Sequence, residues 1–102
     1  MARTVRDAKL ETRTSRSGLP ASSKPHYRAL DSGLHLGYRK GKNSGKWVAR
    51  WYEGGGKYRT ETLGSADDIQ DADGDVILSF RDAQARARER FLAAHRQTEA
   101  PE

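Results

Sequence analysis

The stretch WVARWYEGGGKYRTETL, residues 47–63, constrains the fold more than any other part of this chain. Two runs rich in aromatic, β-branched and basic residues flank three consecutive glycines, which is the composition of a tight antiparallel hairpin. Successive side chains of a strand point to opposite faces, so parity sorts the first run. Trp47, Ala49 and Trp51 share one face, while Val48, Arg50 and Tyr52 share the other. The small Ala49 between two tryptophans leaves room for a helix lying across the sheet between flanking rings.

The segment LHLGYR, residues 34–39, alternates in the same way and predicts a strand before the hairpin. KGKNSGK between them is turn chemistry. Three strands in a meander are marginal in water unless one face is covered. SFRDAQARARERFLAAHR supplies the cover: Phe80, Ala83, Ala87, Phe91 and Ala94 fall on one helical stripe. Ser79 is placed to cap that helix, with Asp82 three residues on as a weak capping box. Val76, Ile77 and Leu78 form either a short extended piece or a plug for the core.

The expected fold class is therefore α+β: a three-stranded antiparallel sheet packed against one C-terminal helix, with a disordered basic N-terminal segment. Leu34, Leu36 and Leu63 join the tryptophans in the core. Glu61 shares parity with Leu63 and is expected at the sheet margin beside a basic residue. Residues 1–30 read as mostly disordered, gaining order near Tyr27. Residues 31–95 read as the folded domain, and 96–102 as a linker or chain end.

With 102 residues, 34% of them hydrophobic and 32% charged, the chain holds one small domain with a thin core. Cysteine is absent, which removes disulfides, thiolate zinc sites and cysteine nucleophiles together. No apolar run reaches the roughly 18 residues of a membrane span. The N-terminus has no apolar signal core, so cytoplasm is the expected compartment. Charge is uneven along the chain. Residues 1–63 hold fourteen basic and five acidic side chains, whereas residues 64–78 hold five aspartates and no base. A cationic half of that kind favours a polyanion, most commonly nucleic acid.

The open face of the sheet would carry His35, Arg39, Arg50, Tyr52, Tyr58, Thr60 and Thr62, with Lys40, Lys42 and Lys46 in the adjoining turn. Arginine offers a bidentate fork to guanine, threonine a hydroxyl and a methyl, and lysine a charge for phosphate. A solvated sheet face uses many of the same residues for strand propensity alone. A protein-interaction module and an RNA binder are the competing functional readings.

These same residues carry a resemblance. WVARWYEGGGKYRTETLG, with LHLGYRKG before it and the alanine-rich helix after it, resembles the N-terminal arm-type DNA-binding domain of phage and genomic-island tyrosine recombinases (integrases) over residues 25–95. Its K-W-V-A and L-G elements are also similar to plant ethylene-response domains. The resemblance implies a three-stranded sheet lying in the major groove of double-stranded DNA, backed by a helix. Arg50, Tyr52, Thr60 and Thr62 then fall on the groove side, and Trp47, Ala49, Trp51 and Leu63 on the packing side. It further implies a non-catalytic piece of a recombinase, monomeric when isolated, that meets other recombinase subunits through the full-length protein. Tyr27, Tyr38, Tyr52 and Tyr58 are accordingly not nucleophiles.

One metal motif calls for weighing. Asp71, Asp73, Asp75 and Asp82 occupy positions 1, 3, 5 and 12 of a calcium-loop pattern. Position 6, however, is Val76 where a glycine is needed, and no helix precedes the loop. The three histidines are scattered, so no metal, cofactor or catalytic residue is expected. The acidic loop reads as a solvated connection that keeps acid away from the binding face.

Overall fold

In the computed structural model, which describes residues 9–42 and 44–99, the glycine-linked runs close as expected. Strand β3 (Gly45–Gly54) pairs antiparallel with β4 (Lys57–Ala66), setting Arg50 opposite Thr60 and Tyr52 opposite Tyr58. Gly55 and Gly56 sit in the turn at φ 63° and 79°, a left-handed pair that favours glycine. Strand β2 (Leu34–Lys40) lies antiparallel on the other side of β3, with His35 opposite Arg50.

The sheet has five strands, not three, in the order β1-β2-β3-β4-β5. Strand β1 (His26–Asp31) pairs antiparallel with β2 through a tight turn at Gly33, whose φ is 77°. Strand β5 (Ile77–Leu78) adds to the far edge and runs parallel to β4. Its two residues are too few to show a period, whereas HYRALD before Ser32-Gly33 does alternate and could have been read as a hairpin arm. At Gly64 an added Cβ would lie 2.9 Å from the Val76 carbonyl oxygen, so only glycine admits β5 this closely. The Ser65 N–H donates to that same carbonyl at 2.9 Å.

Helix α2 (Phe80–Glu99) covers one face and runs past residue 96, where the helical stretch is expected to end. Its start is a reciprocal capping box: the Asp82 N–H donates to Ser79 Oγ at 3.1 Å, and the Ser79 N–H to Asp82 Oδ2 at 3.3 Å. Ala83 and Ala87 are fully buried, as is Ala49 on the sheet. These small side chains let helix and sheet approach, and the aromatic rings flank the contact. Trp47 meets Phe80 and Trp51 meets Phe91, each with ring centroids 6.1 Å apart. Leu34, Leu36, Tyr38, Leu63 and Leu78 complete the core. Leu63 keeps its core side although β4 bulges there: Trp47 pairs with Gly64 and Val48 with Thr62, leaving Leu63 as the extra residue.

The basic segment before β1 contributes to this core. Residues 1–8 lie outside the described residues, but from Lys9 on the chain is shaped by a single buried cation. Helix α1 (Arg13–Ser17) is capped by Thr12 and turns Arg16 into the end of the sheet, where it is 1% exposed. Its guanidinium donates to Asp67 Oδ1 at 2.5 Å, Asp68 Oδ1 at 2.9 Å and the Leu10 carbonyl at 2.9 Å. The same group lies 5.1 Å from the Trp47 ring and 5.8 Å from the Tyr38 ring. The acidic loop is thus a structural clasp for the N-terminal segment as well as a connection. Among the described residues no helix is long and apolar enough to cross a membrane.

Candidate nucleic-acid interface

The face opposite α2 is built by strand register into cross-strand rows. Ala29, His35, Arg50 and Thr60 form one row, and Tyr27, Gly37, Val48 and Thr62 the next. Arg39, Lys46 and Ser65 form a third, and Tyr52 and Tyr58 close the opposite end. Nine of the ten residues expected at a binding surface therefore sit on this face or in its adjoining turn, where Lys42 is exposed.

Lys40 does not join them. It shares the parity of Leu34 and Leu36, and its ammonium donates to the carbonyls of Ser17 and Leu19, both at 2.7 Å, and of Arg16 at 3.3 Å. Those acceptors lie at and just beyond the end of α1, where a cation is also favoured by the helix dipole, and the Arg16 carbonyl additionally accepts the Leu19 N–H at 3.1 Å. The turn reading placed Lys40 outside a strand, whereas β2 extends through it and parity turns it to the helix side.

Charge is segregated across the sheet. Asp31 is held by Arg88 at 2.9 Å, and Glu61 by Arg59 and Arg90, both at 3.0 Å. Glu53, the extra residue of a second bulge, lies 3.9 Å from Arg59 and lines a groove with Trp51 and His95. These carboxylates all belong to the helix side. The Arg90 hydrogen bond, with its charge and that of Arg59, outweighs burial and holds the Glu61 carboxyl below the usual range. Among the described residues the open face carries Arg39, Lys46 and Arg50 and no carboxylate.

Arg50 is the best-defined group on that face. Its guanidinium carbon lies 4.2 Å from the Tyr58 ring centroid and 5.6 Å from that of Tyr27. It makes no hydrogen bond or ion pair among the described residues, so its five N–H donors stay available in a fixed plane. Tyr27 reaches it from two strands away by crossing Gly37, where an added Cβ would lie 2.6 Å from the Tyr27 ring. That crossing also covers Val48, which is fully buried although it is on the open face. Tyr27 makes an edge contact to His35 at 6.4 Å, and Tyr52 to Tyr58 at 5.1 Å. Thr60 and Thr62 are exposed beside them. Tyr27 joins this face through β1, a strand that the expected three-stranded sheet does not include.

The acidic loop offers a different chemistry. Asp73 Oδ1 accepts the N–H groups of Asp75, Val76 and Ile77 at 2.8, 3.0 and 2.9 Å, which hold its carboxyl below the usual range. Asp71 pairs with Arg13 at 2.8 Å, and Asp82 caps α2. Three of the four aspartates of the calcium-loop pattern are thus engaged by the chain itself, and no cluster of metal-ligating side chains occurs among the described residues.

No family model, curated protein or solved structure matches the chain.

Proposed function

We propose that this chain is the DNA-binding module of a site-specific recombinase of the integrase class, acting during DNA integration or recombination, with its open sheet face laid in the major groove of duplex DNA. One observation carries the reading: a sheet face that, among the described residues, has no carboxylate and a central arginine oriented by two rings with its donors unused. On this reading the chain positions DNA, and the chemistry belongs to another part of the recombinase.

Dimensions bear on how the sheet would sit. The major groove is about 12 Å wide. Strands about 4.8 Å apart put β2, β3 and β4 within it, and leave β1 at one wall. Arg50 on the middle strand then faces the groove floor, while Arg39, Lys42 and Lys46 at one end approach a phosphate backbone.

Titration with duplex DNA, following backbone amide shifts and salt dependence, tests the proposal. Amides of β2–β4 around Arg39, Arg50, Tyr52 and Thr60 are expected to move. Three phosphate contacts predict a slope of log affinity against log salt of about −3. Shifts concentrated on α2, or binding indifferent to salt, would reject groove insertion in favour of a protein-interaction module.

A further inference from the structure

We propose that Arg50 reads a guanine in the major groove and that Tyr27 and Tyr58 are the positioning residues that set its guanidinium. The inference rests on the DNA-binding reading above and names the base that site recognises. An arginine side chain on an open sheet face ordinarily samples many rotamers, and ordering it on binding weakens the complex. Here the ring of Tyr58 at 4.2 Å and that of Tyr27 at 5.6 Å confine the planar fork before any ligand arrives. Strand β1, two strands over, supplies one of these rings, and Gly37 supplies the gap it crosses.

The location separates a base reader from a phosphate anchor. Arg50 stands on the central strand of β2-β3-β4, between His35 and Thr60 in its row. Arg39 and Lys46 stand toward the Lys42 turn at the strand ends, where the sheet leaves the groove and meets a phosphate backbone. A planar pair of donors directed at a groove floor matches the O6 and N7 acceptors of guanine, which no other base edge presents together. The fork therefore selects guanine, and the rings keep it in the plane of the base pair.

The test begins by selecting bound duplexes from a random-sequence pool with the wild-type protein. The enriched site is expected to contain a guanine whose replacement by 7-deazaguanine lowers affinity about tenfold, within the range of about 5- to 150-fold typical of a bidentate pair. Arg50→Ala should be indifferent to that replacement. Arg50→Lys, which keeps charge but loses the fork, should keep the salt slope and lose most of the penalty. Tyr27→Leu and Tyr58→Leu should each reduce it several-fold, whereas Tyr27→Phe and Tyr58→Phe retain a ring and should match wild type. Arg50 and Tyr58 lie away from the core, and leucine at position 27 keeps an apolar cover over Val48, so amide spectra should confirm unchanged folding. A salt-dependent duplex binder that enriches no guanine would overturn the guanine reader and leave groove binding standing. So would an undiminished 7-deazaguanine penalty in Arg50→Ala. Leucine variants that discriminate like wild type would overturn the role of the rings. Absence of any duplex binding would remove both this inference and the reading beneath it.

Discussion

Replacing Arg16 with methionine should cost about 3–5 kcal/mol of folding stability, the usual range for breaking a buried ion pair from one side. Methionine retains much of the stem volume, so the loss is chiefly electrostatic. It strands Asp67 and Asp68, which are only 17% and 15% exposed, and leaves the Leu10 carbonyl without its donor. Asp68 keeps the Tyr38 hydroxyl at 2.5 Å and the Gly45 N–H at 2.9 Å, whereas Asp67 loses its charge partner. Detaching the N-terminal segment gives little relief. It would expose Leu10, now fully buried, and re-exposing one such side chain costs about 1.5–3 kcal/mol. A loss of about 3 kcal/mol lowers the melting temperature of a domain this size by about 12–24 °C. Urea unfolding followed through Trp47 and Trp51 measures the change, and hydrogen exchange over residues 9–20 shows whether the segment detaches first. The triple variant Arg16→Met, Asp67→Asn, Asp68→Asn should recover most of the loss, because it removes the stranded charges. A single variant within about 1 kcal/mol of wild type would refute the clasp, and a triple variant no better than the single would refute its electrostatic origin.

Burial pushes the Asp68 carboxyl up, but hydrogen bonds from Tyr38, Arg16 and Gly45 together outweigh it and leave its pKa below the ordinary value. Its contribution is therefore intact above about pH 4 and lost as pH falls through the lower folded value, and urea midpoints of Asp68→Asn should vary less with acid. Burial, then the hydrogen bond to Asp68, raises the Tyr38 pKa; stability should fall as pH rises above about 10, and Tyr38→Phe should blunt that fall. Gly64→Ala would drive a Cβ to 2.9 Å from the Val76 carbonyl, costing about 1–3 kcal/mol and exposing the Ser65 amide to exchange. Lys40→Met should lower thermal stability and leave the DNA salt slope unchanged. Lys42→Ala should do the reverse, reducing the slope by about 1.

Local rules were enough wherever the determining residues are neighbours along the chain. The period of two in LHLGYR and WVARWYE sorts core from open face because alternate side chains cannot share a side. The helical stripe of Phe80, Ala83, Ala87 and Phe91, and the Ser79–Asp82 cap, follow as directly from spacing. Even the bulge at Leu63 preserves the expected side for Thr60 and Thr62.

Spacing along the chain thus specifies a two-faced hairpin unit with one helix to cover it and a basic face left over. Tertiary structure alone decided how the ends are fastened and which basic side chains remain free. Arg16 lies about fifty residues from Asp67 and Asp68, and nothing local distinguishes it from the other arginines of a polar, basic segment. Lys40 and Lys42 look alike in KGK, yet one is bound by the carbonyls of α1 while the other is exposed. Tyr27 and Arg50 meet only because β1 pairs with β2 and Gly37 leaves the space between them. A charge or ring acquires its role from the groups packed against it, and those groups are brought together by closing the chain.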